Sequence, residues 1–496
     1  MNRPSDVSAP SAARGPLVVS PVNPRYFAVA GDDGEVVYLT GSHVNNNLHD
    51  GLGFGRECAE SPERFDFDAY LEFLREHGHN FIRLWRWEQF RGYLPGADVH
   101  FCMTPQPWAR TGSDPASDGK PRFDLSTFDA AYFDRIRERV VTAGELGIYV
   151  SVMLFEGFSL HLTATPDNIT GHPLHASNNV NGIGITSIVD YQVLPLDPRI
   201  EMLQSAYIHK VVDTVHDLPN VLYEVANESS GQDADAVRMP DGTVIETPIG
   251  DSTAWQYWVI DTIRRYEREE GYTPHPVGMT FLYPVADQGR ANDPLWGSPA
   301  DWVSPGFDDG PVPGDSRWRH DPPVSDGTKV VLSDTDHYAP MGSDALWAWK
   351  SFLRGHNPLL YDLGIVSGVP PADPAAGAPS YDSLEPARHA LGDTRRMAAR
   401  VDLAALEPRG DLTSTGYMLA RPGHEYLVLR PGGSDPSFTV RLETGTYAAR
   451  WFDVEDHREQ DAEPVRVDRA TTVTLRSPFD AASAVIHLTA TNSAPT

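Results

Sequence analysis

Two cysteines, Cys58 and Cys102, are all that the 496 residues contain. They permit one disulfide at most and none of the paired spacings of a zinc site. Free thiols in an intracellular protein are the simplest expectation. Positive charge is also scarce: 40 Lys and Arg stand against 69 Asp and Glu, a formal net charge of -29. Nucleic acid and anionic membranes both need a basic face, so neither is expected as a partner. No apolar run approaches the ~20 residues of a membrane-spanning helix. Met1–Pro16 is rich in Ser, Ala, Pro and Arg and lacks the apolar stretch of a secretory signal. Residues 1–20 therefore read as a disordered leader. A cytoplasmic location is expected, with a secreted mature form as the alternative.

What the chain does have is alternation. Between about residues 24 and 365, strand-like runs follow helical ones, the mark of a parallel α/β architecture. The expected strands are 36–42, 80–87, 148–155, 220–226, 276–282, a weak 302–304, 330–333 and 358–361. Helical spacing of apolar residues fills the intervals, as in Phe67, Tyr70, Leu71 and Leu74 before the stop at Gly78. Eight strands in this order predict a TIM barrel over residues 21–394. A doubly wound sheet would carry fewer strands and a Gly-rich first turn. After residue 395 the runs become short, β-branched and turn-punctuated, which predicts a small antiparallel β-sandwich over 395–496. Trp451 and Phe452 read as its core, with a sugar platform as the alternative.

The sharpest chemical signal is Asn227-Glu228 in YEVANESSG, at the end of the fourth strand. Glycoside cleavage needs a carboxylic acid to protonate the departing oxygen, and a neighbouring amide to hold the sugar's 2-hydroxyl. This dipeptide at a barrel strand's C-terminal end supplies both. A helix-capping Asn with a first-turn Glu is the bland alternative.

LYEVANE resembles the acid/base strand of the clan-A, family-5-like glycoside hydrolases, the cellulase-like superfamily. NFIRLWRW resembles that clan's second strand, and GIYVSVMLF its third. The resemblance implies that Glu228 is the acid/base and that Arg83 supports the nucleophilic carboxylate. In that clan the nucleophile is a Glu closing strand seven. Here Lys329–Tyr338 contains no Glu; the aligned position falls near Thr335, between Asp334 and Asp336. Asp336 is preferred as nucleophile, beside His337 and Tyr338, with Asp334 second. Simple alternation puts residues 331, 333 and 335 on one face, so Asp336 needs a local irregularity to turn inward. The tail, with YLVLRPGG and TYAARWFD, resembles a β-domain named for collagen binding in some relatives.

Other residues at strand ends are candidate sugar contacts: His43 and Asn45 after strand one, Trp85, Trp87 and Glu88 at strand two, and Glu156 at strand three. Tyr283 follows strand five, His337 strand seven and Asp362 strand eight. Each has a core or loop role as its alternative. Glu224 is expected one layer deeper, as a partner of Arg83. No cofactor and no metal is expected, and the partner is a carbohydrate. Two rival classes remain. One is a metal-dependent barrel hydrolase using Asp336 and His337 with His43 and Asp362; His77-Gly78-His79 lies at the wrong end of the barrel for it. The other is a non-catalytic carbohydrate-binding barrel.

Overall fold

The computed structural model describes residues 11–32, 35–51, 64–93, 100–161, 168–231, 237–238, 244–245, 250–283, 285, 291–306, 317–338, 343–363, 365, 379–479 and 481–491. Eight parallel strands form one nearly closed barrel: β1 Gly41–His43, β2 Phe81–Leu84, β3 Tyr149–Glu156, β4 Val221–Asn227, β5 Val277–Thr280, β6 Trp302–Ser304, β7 Val330–Asp334 and β8 Asn357–Tyr361. From β2 to β8 each strand pairs with its sequence neighbours, and β8 returns to β1, which leaves β1 and β2 as the two edges of the sheet. The weak sixth strand is present, paired with β5 and β7.

Between β1 and β2 the seam is held by Asn80. Its backbone N–H donates to the Thr40 carbonyl at 2.9 Å. Its side-chain oxygen accepts from the Thr40 N–H at 2.9 Å, and its amide nitrogen donates to the Tyr38 carbonyl at 2.9 Å. A side chain thus replaces part of the ladder where the strands are short. Residues 36–42 do not form one strand as expected. Val36 and Val37 pair instead with Phe27–Val29 in a small antiparallel sheet, and only Gly41–His43 joins the barrel. That small sheet also takes in Leu17–Val19, inside the segment expected as a disordered leader, because Leu17 is buried in the barrel floor. Residues 1–10 of that segment lie outside the described residues.

The outer helices begin where short polar side chains can cap them. In α1 (Phe67–Glu76) the Asp66 side chain accepts from the Ala69 N–H. In α2 (Ala130–Glu145) Asp129 accepts from Ala131, and in α3 (Pro198–Val215) Asp197 accepts from Arg199. α4 (Thr253–Glu270) stops at Gly271, whose φ of 72° suits glycine. α5 is Ala345–Leu353. α6, Tyr381–Ala398, runs across the boundary expected at residue 394.

Beyond it lies the antiparallel domain. Glu407–Pro408, Met418–Arg421, Glu425–Arg430, Ala484–Ala490, Gly445–Asp453 and Arg458–Val467 form a six-stranded sheet in that spatial order, faced by the pair Ser437–Leu442 and Thr471–Arg476. Trp451 lies in the core between them, edge-on to Phe438, while Phe452 packs on Trp349 of α5. Among the described residues no helix is long and apolar enough to cross a membrane. Cys102 is disulfide-bonded, which corrects the free-thiol expectation; Cys58 lies outside the described residues.

Replacing Asn80 with Ala leaves two buried backbone groups unpaired at the seam. The expected loss of stability is on the order of 3 kcal/mol, read from the midpoint of urea denaturation.

Candidate active site

Along β2, alternation sends Phe81 and Arg83 into the barrel. Phe81 joins Tyr149, Leu222, Trp302, Val330 and Leu332 in an apolar floor. Directly above it sits the Arg83 guanidinium, 2% exposed. Its Nε and Nη2 donate to Glu224 at 3.0 and 2.5 Å. Nη2 also donates to Asn227 Oδ1 at 2.7 Å. Nη1 donates to Asp334 Oδ2 at 2.9 Å and to Asp336 Oδ2 at 3.3 Å. One cation thus ties β2 to β4 and β7, and Glu224 takes the deeper position expected for it.

The inward face of β7 is 330, 332 and 334, since Val331 packs into the outer core. Asp334 therefore points inward by regular alternation, the reverse of the face on which Thr335 falls. The strand ends there, and Thr335–His337 wind into a 3₁₀ turn capped by Asp334, whose Oδ1 accepts from the Asp336 N–H at 3.0 Å. That turn brings Asp336 to the mouth. Asp334 has no oxygen to spare, because His43 Nε2 also lies 3.0 Å from its Oδ1. Burial alone would raise its pKa, but His43 and Arg83 hold it well below the usual carboxylate range. Asp336 is pushed the other way, up to about 6, by burial and by the negative charge of Asp334.

β4 breaks its alternation. Val225 and Ala226 both belong to the outer core, so Asn227 turns inward to meet Arg83. Glu228 then takes a φ of 45°, a left-handed conformation rare outside glycine and common at working sites. Gly157, after β3, makes room for it: a Cβ there would lie 2.6 Å from Ser229 Cα and 2.7 Å from the Glu228 carbonyl oxygen. The Glu228 N–H donates to Thr280 Oγ1 at 3.3 Å. Its side chain is buried, and its pKa is raised well above the usual range by burial, then by Asp336 and Glu156. Ligand atoms of Glu228, Asp336 and His337 all lie within 4.8 Å of one another. His337 places Nδ1 2.9 Å from Ser304 Oγ and Nε2 3.4 Å from Asn227 Oδ1, and burial lowers its pKa to about 3.

The remaining candidates divide. His43 is stacked with Trp85 and Tyr361, ring centres 5.9 and 5.2 Å away, and Arg83 lies over the Trp85 ring. Trp87 packs beside Trp85, and its Nε1 donates to the carbonyl of Asn45. Tyr283 packs near Phe281, which touches His337.

Three expected sugar contacts are engaged elsewhere. Glu88 is buried and bonded to Arg86 at 2.9 Å, with His172 and Tyr191 around it. Glu156 accepts from Ser159, and burial raises its pKa to about 8. When ionised, its charge adds to the rise in the Glu228 pKa. Asp362 is wholly buried against Arg388 of α6, in a two-pronged pair at 2.6 and 2.8 Å. The metal set of His43, Asp336, His337 and Asp362 therefore does not assemble. Tyr361, the residue before Asp362, is the one that faces the mouth; inward parity with Leu359 in the floor was the signal for it.

No protein-family model and no curated protein matches the chain. Solved structures do. One described as a glycoside hydrolase aligns with 97% of this chain and 98% of its own, at 14% identity and a TM-score of 0.57. A glycoside hydrolase family 5 protein from Bacteroides vulgatus aligns with 97% of this chain and 94% of its own, at 13% identity and a TM-score of 0.60. The chain therefore has the fold of these proteins, barrel and β-domain together.

An Asp362→Ala variant leaves the Arg388 guanidinium buried without its main partner. It should lose about 3–5 kcal/mol of stability, measured by denaturant unfolding.

Proposed function

We propose that the protein is a glycoside hydrolase that works by double displacement with retention, Glu228 serving as acid/base and Asp336 as nucleophile. The facing carboxyl pair carries this reading. Glu228 is buried with its proton retained, and an Asp336 oxygen lies within 4.8 Å of one of its own. Retaining enzymes hold their carboxyls roughly 5–5.5 Å apart, too close for an intervening water. Asp336 is preferred over Asp334 because both Asp334 oxygens are committed to Arg83, His43 and the 3₁₀ turn.

In the first step an Asp336 oxygen attacks the anomeric carbon. The glycosidic bond breaks, and the departing oxygen takes the Glu228 proton. In the second step water gives a proton to Glu228 and its oxygen to the anomeric carbon, and Asp336 is released. Asn227, whose carbonyl oxygen is occupied by Arg83, presents its amide N–H groups to the sugar's 2-hydroxyl. Trp85 and Tyr361 wall the sugar. The substrate is an oligosaccharide or glycoside. The disulfide at Cys102 supports an oxidising compartment over the cytoplasm.

Two protonation states bound the activity. Asp336 must be ionised, so kcat/KM should rise with pH through about 6. Glu228 must be protonated, so the rate should fall once pH exceeds its raised value; the limbs belong to the pair, since the two groups interact.

On chromogenic aryl glycosides, Glu228→Gln should lower kcat/KM by about 10²–10⁴-fold. Azide should restore turnover of substrates with good leaving groups, giving a glycosyl azide of retained configuration by NMR. Full activity in that variant would contradict the proposal, as would activity abolished by chelation in wild-type protein that remains folded. The latter would favour metal chemistry at Glu228, Asp336 and His337. Arg83 Nη1, 3.3 Å from Asp336, opposes a second cation there.

A further inference from the structure

The outer wall of the barrel, between α1 and α6, holds a second cluster of chemistry-bearing side chains, which the glycosidase reading does not use. His77 caps the C-terminus of α1; Glu385 and His389 stand four residues apart on one face of α6. We propose that His77, Glu385 and His389 bind a divalent transition-metal ion of the zinc type.

The hydrogen bonds argue for a cation between them. His77 Nδ1 lies 2.9 Å from the Phe73 carbonyl oxygen, which can only accept, so Nδ1 carries the hydrogen. A neutral His77 then turns the lone pair of Nε2 toward Glu385 Oε1, itself an acceptor. A cation at that point removes the conflict.

The distances argue for a metal over a shared proton. Glu385 Oε1 lies 3.3 Å from His77 Nε2 and 3.2 Å from His389 Nε2. A charge-assisted N–H···O bond is shorter, about 2.7–2.9 Å. The edge of a tetrahedron with metal–ligand bonds of about 2.0–2.1 Å is roughly 3.3 Å. All three ligand atoms lie within 4.8 Å of one another.

The surrounding groups also suit a metal. The Phe73 carbonyl orients His77, and Arg388 Nη1 donates to Glu385 Oε2 at 2.9 Å, as outer-shell partners do. Glu385 and His389 are 37% and 45% exposed, which leaves a path in and a position for water. His79 and His457 are committed elsewhere, to the Arg388 carbonyl and to Asp393. The His457 ring, from the β-domain, packs 5.2 Å from that of His389. A bound ion would therefore clamp α1 to α6 at the junction of barrel and β-domain. Its role is structural, since none of its ligands belongs to the carboxyl pair.

The test uses the full chain, stripped with chelator and titrated with Zn²⁺ by calorimetry, with Co²⁺ absorption reporting coordination. One equivalent should bind, and Tm should rise with metal and fall with chelator. His389→Ala, at an exposed position, should weaken binding by more than the roughly 10–100-fold that outer-shell changes cost, and Glu385→Gln should do the same. Glu228→Gln should bind as the wild type does. The proposal is overturned if no equivalent binds, if Tm ignores the metal, if His389→Ala binds normally, or if only Glu228→Gln loses the ion.

Discussion

The protein is organised around one buried cation. Taking the Arg83 guanidinium out of water costs several kcal/mol, and only a dense set of acceptors makes its position stable. Glu224, Asn227, Asp334 and Asp336 supply them from two other strands. Each acceptor is oriented in return. Glu224 is fixed below, Asn227 is held with its amide nitrogen available, Asp334 is kept ionised, and Asp336 is steadied at the rim. The guanidinium also decides which carboxyl is which. Asp334, gripped by Arg83 and His43, stays charged; that charge and burial raise Asp336, and burial with the charge of Asp336 raises Glu228. The gradient from a fixed anion to a retained proton is the separation that acid and nucleophile need.

The short side chain of the proposed nucleophile has a structural answer. An Asp reaches one carbon less than a Glu. The chain keeps β7 paired with both of its neighbours. It ends β7 at Asp334 and uses that residue to cap a 3₁₀ turn, which carries Asp336 forward into the mouth. Asp334 takes the inward strand position, and the carboxylate proposed as nucleophile stands two residues along. At the end of β4 a comparable departure occurs, where the lost alternation and the positive φ of Glu228 bring Asn227 and Glu228 to one side.

Much of this was legible in the sequence, because long-period patterns survive without a structure. Eight apolar runs with helical spacing between them specified the barrel, and even Trp302–Ser304 was visible. Asn227 and Glu228 stood out because they closed a buried strand, and Arg83 stood out through the family resemblance of NFIRLWRW. What was hidden lay where the backbone leaves regular geometry. Parity pointed residues 331, 333 and 335 to one face, but that face meets the helices. Asp362 was chosen for its charge beside strand eight, yet its partner Arg388 lies in a helix whose approach no local pattern reveals. Tyr361 carried no charge and was passed over. The Cys102 disulfide was hidden for the same reason: pairing depends on distant segments meeting, and two cysteines alone show only that it is permitted.

The central claim is that Asp336 bonds to the anomeric carbon. The most direct measurement is trapping with a 2-deoxy-2-fluoro analogue of a sugar the protein turns over, followed by peptide mass spectrometry. The account predicts one sugar per chain, attached to Asp336. A sugar on Asp334 or Glu228, or no adduct together with a product of inverted configuration, would contradict it.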